Sequence, residues 1–207
     1  MSLVNKTFYV LLLVLLASCS PRKTGDVFVD SRDNLVIRGN DGLSRFNLGD
    51  SIRGEADVFL NNGDAFVVSM SNSIIKFSLK DNAIVWKKSI NSIPLANLAF
   101  NGSEKIYFTT IDNRFYILDY DTGRIEFIYS NVSERTVVHR IAPIYYRKKN
   151  LIVVTFNDGE VIIFGGRKNN ILRVIYPGPA RESSVTLENN LLTVNEEVID
   201  LDKVGDK

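Results

Sequence analysis

A pair of β-prone segments that recurs about every forty residues constrains this chain more than any other feature. Each unit has a short apolar run, a polar turn and a second short apolar run. Five stretches follow this outline: Asp26 to Ile37, Ala65 to Phe77, Lys105 to Leu118, Leu151 to Phe164, and Leu191 to Leu201. Regular self-similarity of this kind is the mark of an array of stacked units. The sequence therefore predicts one repeat domain over residues 26–207.

The turns in the middle of these units contain residues that suit tight hairpins. Asn, Asp and Gly tolerate the positive φ angles that such turns require. The turns are Arg32-Asp33-Asn34, Ser71-Asn72, Asp112-Asn113, Asn157-Asp158-Gly159 and Asn195-Glu196. We therefore expect five antiparallel hairpins in series.

Further β-prone runs lie between the hairpins. Ile84 to Trp86, Ile125 to Tyr129, and Ile171 to Ile175 each follow a polar turn and predict a third strand in their units. Leu95 to Phe100 and Thr136 to Ile144 are candidates for a fourth strand. The units are thus expected to be small sheets rather than isolated hairpins.

Many of these strands are apolar at consecutive positions, as in Ile106-Tyr107-Phe108. Because successive side chains of a strand point to opposite faces, such a sheet must be covered on both sides. Repeated four-stranded sheets that cover each other in this way are typical of β-propellers. We predict an all-β fold, a propeller-like stack of about four to five antiparallel blades.

The N-terminal residues have a different composition from the repeats. Lys6 precedes an unbroken apolar run from Phe8 to Ala17, which is the layout of a secretory signal. A helix needs roughly 20 apolar residues to span a bilayer, and this run is about half as long. The run is therefore interpreted as a removable export signal.

Leu16-Ala17-Ser18-Cys19 follows the apolar run and resembles the lipobox of bacterial lipoproteins. The resemblance implies a signal peptide over residues 1–18, acylation of Cys19 with fatty acids such as palmitate, and a short tether over residues 19–25. Ser20 after the cysteine implies sorting to the outer membrane. Two alternatives stay open: an ordinary cysteine at the end of an uncleaved helix, and loss of Cys19 with a plain signal peptide.

Charge argues against a nucleic-acid partner. The 25 basic residues almost equal the 24 acidic residues, so the chain lacks the basic field on which phosphate binding depends. Arg147-Lys148-Lys149, beside Tyr145 and Tyr146, is interpreted as a solvated loop between two strands. A basic and aromatic patch is the alternative.

The sequence contains no recognisable catalytic or metal-binding constellation. His139 is the only histidine, and no nucleophile motif accompanies it as a hydrolase triad requires. Cys19 is the only cysteine, so the chain cannot form an intrachain disulfide. One histidine and one cysteine are also too few to complete a zinc site of the usual Cys and His type. We expect no catalytic residue and no metal ligand.

The unit from Lys105 to Tyr129 resembles the repeat of PQQ-type quinoprotein propellers. The matching residues are Asp112, Leu118, Asp119, Thr122, Gly123 and Phe127. Phe77, Asp81 and Trp86 match more loosely in the preceding unit. Enzymes of this kind share cofactor and calcium ligands and repeated tryptophans, whereas this chain has Trp86 alone. The resemblance therefore implies the fold without the enzymatic activity or the cofactor.

A lipobox combined with these repeats is similar to the BamB family of outer-membrane assembly lipoproteins. That resemblance implies a lipid-anchored periplasmic scaffold that binds protein partners during assembly of outer-membrane β-barrels. A periplasmic ligand-binding or PQQ-type enzyme domain, and a truncated repeat protein without activity, are the alternatives. The family closes a ring of about eight blades. This chain has room for four to five, so it closes with few blades, pairs with another chain, or is a shortened relative.

Overall fold

The computed structural model describes residues 27–39, 42–49, 56–69, 72–95, 98–131, 141–165, 168–176 and 184–205. The predicted signal peptide and tether, with Cys19, lie outside the described residues, as does His139. Within these ranges the chain forms antiparallel strands and two short 3-10 helices. The strands make five separate sheets that follow one another along the chain, and we call them blades one to five.

The three middle blades have four strands, each paired with the next along the chain. Blade two comprises β4 Ala56–Asn61, β5 Asp64–Ser69, β6 Ser73–Ser78 and β7 Ala83–Ser89. Blade three comprises β8 Ala99–Asn101, β9 Lys105–Thr109, β10 Arg114–Asp119 and β11 Ile125–Ser130. Blade four comprises β12 Ile144–Tyr146, β13 Leu151–Thr155, β14 Val161–Gly165 and β15 Asn170–Ile175.

The first and last blades have three strands each in the described part of the chain. Blade one comprises β1 Val27–Val29, β2 Asn34–Gly39 and β3 Gly42–Asn47. Blade five comprises β16 Val185–Glu188, β17 Leu191–Val194 and β18 Glu197–Asp200. The predicted all-β stack of four to five blades is confirmed.

All five predicted hairpins are present, and their turns adopt the backbone that the sequence suggested. A residue with positive φ lies in each turn: Asp33, Asn72, Asn113, Gly159 and Asn195. The predicted third strands are β7, β11 and β15. Of the predicted fourth strands, Leu95 to Phe100 overlaps β8 at Ala99 and Phe100, and Thr136 to Ile144 overlaps β12 at Ile144 alone; residues 136–140 lie outside the described residues.

Hydrogen bonds at the turns show which position in a blade each strand occupies. The residue after the last strand donates its N–H to the central hairpin turn in blades one, two and three. The pairs are Leu48 to Asp33 (3.3 Å), Ile90 to Asn72 (2.7 Å) and Asn131 to Asn113 (2.9 Å). Blade one therefore contains the second, third and fourth strand positions, and β1 is the counterpart of β5 and β9.

A second set of hydrogen bonds places the strands of blade five. The residue after the third strand donates its N–H to the turn that joins the first two strands. The pairs are Leu79 to Gly63 (3.1 Å), Tyr120 to Glu104 (3.0 Å) and Leu201 to Asn190 (2.8 Å). Blade five therefore contains the first three positions.

This assignment gives the stack two different rims. The central-turn rim carries the turns between second and third strands. The entry rim carries the turns between first and second strands and between third and fourth strands. Because β1 holds the second position, the chain enters the described domain at Val27 on the entry rim.

The core consists of four apolar layers, one between each pair of neighbouring blades. The layer between blades two and three contains Phe66, Phe100 and Phe108, and the next layer contains Phe115 and Phe164 with ring centroids 5.2 Å apart. The other two layers join blade one to blade two and blade four to blade five. Both faces of the middle sheets are therefore covered, as their sequences predicted.

One turn fastens blade three to blade two. Asp119 accepts hydrogen bonds from the backbone N–H and the hydroxyl of Thr122, at 2.9 and 2.6 Å. These bonds lower the pKa of Asp119 below its ordinary value. The indole of Trp86 donates to the carbonyl oxygen of Tyr120 at 3.0 Å and lies flat against Gly123. A Cβ at Gly123 would lie 2.7 Å from the Trp86 ring, so only glycine allows this approach.

Gly123→Ala should destabilise the fold more than the same change at a glycine with open space around it. Gly123 and Gly102 both have positive φ, but a Cβ at Gly102 would meet nothing within 4 Å. Left-handed backbone costs alanine about 1 kcal/mol at either site, and overpacking against Trp86 adds about 1–3 kcal/mol. Urea unfolding should show this difference. Equal losses for the two variants would mean that the Trp86 contact contributes nothing.

Candidate functional site

A buried lysine lies at the junction of blades two and three. The Lys76 side chain is 6% exposed, and its Nζ lies 3.2 Å from an oxygen of Asp64 and 4.0 Å from the centre of the Tyr120 ring. The Tyr120 hydroxyl donates to Asp64 at 2.9 Å. Burial, followed by this hydrogen bond, raises the pKa of Tyr120 above its ordinary value. Each of these polar groups has a partner within the cluster, which joins the two blades.

Amide side chains connect blades three and four near the central-turn rim. The Oδ1 atom of Asn113 accepts the backbone N–H of Asn157 at 2.6 Å, and the Nδ2 of Asn157 donates to the carbonyl oxygen of Ile111 at 2.8 Å. Asn131 donates to Asp158 at 3.1 Å and to Glu160 at 2.5 Å. These contacts hold the hairpin turns of the two blades together, as apolar layers hold their strands.

The residues that the sequence analysis singled out lie in turns and at contacts between blades. Trp86 is half-buried between blades, and Asp119 orders its own turn. Asp121 lies in the same turn with its side chain 80% exposed, near Lys76. Arg147–Lys149 forms an exposed 3-10 helix between β12 and β13, which confirms the expected connection between two strands.

Among the described residues, no three His, Cys, Asp or Glu side chains come together in a way that could hold a metal ion. The described ranges also contain no helix with the length and apolar character needed to cross a bilayer.

The fourth strands of blades two to four form a candidate interface, which we call the outer strands: β7, β11 and β15. Each is the last strand of its sheet, and the described residues provide no partner on its outer edge. These strands carry large apolar side chains in solvent: Ile84 (41% exposed), Val85 (47%), Ile128 (49%), Ile171 (44%) and Leu172 (39%). A partly apolar strand with an open edge is suited to pairing with another extended chain.

Sequence reasoning recognised these strands but not their exposure. Alternation shows which residues share a face, and it does not show whether that face meets another blade. Lys76 was missed for the same reason, because it lies in the β-prone segment Ser73–Ser78 and had no marked partner. The signal in the sequence was a lysine within a β-prone segment, and the structure shows that every position of this segment is buried.

Comparisons with known proteins decide the family. The family model described as outer membrane protein assembly factor BamB matches residues 27–172, which is more than half of the chain. The chain belongs to the BamB family. The family match includes blades one to three, with the Trp86 and Gly123 contact, and ends within β15 of blade four.

A solved structure shares the fold. The chain is similar to BamB from Moraxella catarrhalis, with 14% sequence identity and a TM-score of 0.58. The similarity covers 88% of this chain and 63% of the Moraxella chain, so this chain spans less than two thirds of that BamB. A comparison with curated proteins gave no match.

Lys76→Met should destabilise this BamB-family fold by about 2–4 kcal/mol, because removing one partner of a buried ion pair leaves the other uncompensated. Asp64, which is 16% exposed on its side chain, and the Tyr120 ring would lose their cation. The matched control is Lys87→Met on the exposed side of β7, with an expected change below about 0.5 kcal/mol. Chemical denaturation measures both variants. Similar small losses would contradict a stabilising role for the cluster.

Proposed function

We propose that this chain is a lipid-anchored periplasmic scaffold that binds protein partners during assembly of outer-membrane β-barrel proteins. Membership of the BamB family supports the type of function, since the family is described as an outer membrane protein assembly factor. The outer strands support the mode of binding. They are the observation on which the rest of the proposal depends.

An open outer strand offers two kinds of contact to an extended partner. Its outer N–H and C=O groups extend a sheet by backbone hydrogen bonds, which do not depend on the partner's sequence. Its exposed apolar side chains, such as Ile128 and Leu172, add contacts to alternate residues of the added strand. Strands of outer-membrane barrels alternate apolar and polar residues, so they match such an edge.

The anchor follows from the sequence. Cys19, acylated after cleavage of residues 1–18, would hold the domain at the periplasmic face of the outer membrane. Two or more acyl chains are needed for stable anchoring, and lipoprotein acylation supplies them. A short tether then keeps the outer strands close to the site where barrels enter the membrane.

We propose further that the chain is not an enzyme. Its ionisable side chains at the blade junctions, such as Lys76 and Asp64, are paired with each other. A PQQ-dependent enzyme would bind its cofactor and unfold at a higher temperature in its presence. Thermal unfolding with and without PQQ should give the same midpoint, and a clear upward shift would contradict this part of the proposal.

Site-specific photocrosslinking in the native envelope tests the proposed interface. A photoreactive amino acid at Ile128 or Leu172 should crosslink to a protein of the barrel-assembly machinery or to a barrel client, identified by mass spectrometry. Ile111 is the matched control, because it is apolar and 42% exposed but lies in the turn between β9 and β10, away from an open strand edge. Crosslinks from Ile111 alone, or none from either outer-strand position, would contradict the proposed interface.

A further inference from the structure

The entry rim of blades four and five is strongly basic. Arg147–Lys149 forms a complete turn of cations, exposed at Arg147 and Lys148. Lys168, between β14 and β15, and Lys203, after β18, are exposed on the same rim. The described turn residues of this rim in blades four and five carry five cations and one carboxylate, Asp202, while Asp200 at the end of β18 pairs with Lys203 at 3.3 Å. We call these five cations the basic rim.

The corresponding turns of blades two and three have a different charge. Their described turn residues carry two cations, Lys80 and Arg124, and three carboxylates, Asp81, Glu104 and Asp121. The cations are therefore concentrated at one end of the stack. A uniform solvated surface would not show this difference between equivalent turns.

Local contacts hold the basic rim in one shape. Asp202 accepts a hydrogen bond from the Tyr146 hydroxyl at 2.7 Å and pairs with Lys148. The Lys148 contact, followed by the Tyr146 contact, lowers the pKa of Asp202. The 3-10 helix of blade four is thus tied to the 3-10 helix Leu201–Lys203 of blade five. Asp202 and Asp200 each pair with one of the five cations, so positive charge still exceeds negative charge at this end of the rim.

The chain enters the domain on this same rim. Val27 begins β1, which holds the second strand position, and the turn Arg147–Lys149 directly precedes β13, the second strand of blade four. Eight residues from Cys19 to Asp26 reach at most about 28 Å when fully extended. An acylated Cys19 therefore keeps Val27, where the chain enters the entry rim at blade one, within that distance of the bilayer surface.

We propose that the basic rim docks on the anionic phospholipid headgroups of the membrane. Exposed cations near an anionic bilayer strengthen binding on the order of fivefold each, and this attraction acts only within roughly a Debye length of the surface. The lipid anchor, which is part of the proposed function, supplies that proximity. Docking turns the entry rim of blades four and five toward the membrane and leaves the central-turn rim facing the periplasm.

Vesicle cosedimentation tests the proposal without the anchor. The chain from residue 20 onward contains every strand and core layer described above, and circular dichroism and thermal unfolding check that it and its variants are folded. The vesicles are phosphatidylcholine with about one third phosphatidylglycerol, or phosphatidylcholine alone. We expect binding to the anionic vesicles at low salt, loss of binding at high salt, and none to the neutral vesicles.

Two charge-matched triple variants make the test specific. Arg147→Glu, Lys168→Glu and Lys203→Glu together should weaken binding on the order of a hundredfold or more. The control combines Lys80→Glu, Lys87→Glu and Arg124→Glu on blades two and three, with the same change in net charge, and should retain nearly all binding. Equal loss for both variants, equal binding to neutral vesicles, or no binding by the unsubstituted chain would overturn the proposal. The outer-strand crosslinks are recorded independently, so failure here leaves the proposed function standing.

Discussion

Burial of both faces of each sheet is the constraint on which the rest of the structure depends. The strands of the middle blades are apolar at consecutive positions, so each sheet is unstable until a neighbour covers it on either side. The four layers between blades supply that cover. Stability in such a stack comes mainly from contacts between neighbouring repeats. Turn contacts, such as Trp86 against Gly123, then fix how far one blade is rotated on the next.

This arrangement separates stability from binding. In blades two to four the second and third strands are buried almost throughout, and the fourth strand is largely exposed to solvent. The exposed side chains of the outer strands, such as Ile128, can therefore vary with little effect on the core, and the strand edges remain available to a partner. The turns of the two rims vary in the same way, which allows one rim to become basic at blades four and five. A repeat fold can thus offer several distinct surfaces.

Much of the fold could be predicted from the sequence because the turn residues carry strong local information. Asn72, Asn113 and Gly159 adopt the positive φ that their residue types favour, and the hairpins follow from them. Strands β3, β4 and β16 were not predicted. Among them β3 is mostly exposed and β16 alternates between half-buried and exposed positions, so neither has the apolar run that marks the central strands. The predicted anchor residue, Cys19, stays a prediction.

The functional surfaces were harder to predict because they depend on which blades meet. Lys76 and Asp64 lie 12 residues apart in sequence and pair only because β5 and β6 fold against each other, while Tyr120 comes from the next blade. Ile128 looks like a core residue in sequence, and its 49% exposure follows from its place on the outermost strand. Long-range packing, which local patterns do not encode, decides both cases.

One measurement tests most directly whether this chain is a lipid-anchored scaffold of outer-membrane assembly. The protein is extracted from its own envelope in mild detergent, and mass spectrometry identifies its N-terminal species together with the proteins and small molecules that accompany it. We predict an acylated Cys19 at the N-terminus and a β-barrel assembly subunit in stoichiometric amount. An unmodified N-terminus, or a protein that is purified alone or with a small cofactor, would contradict it.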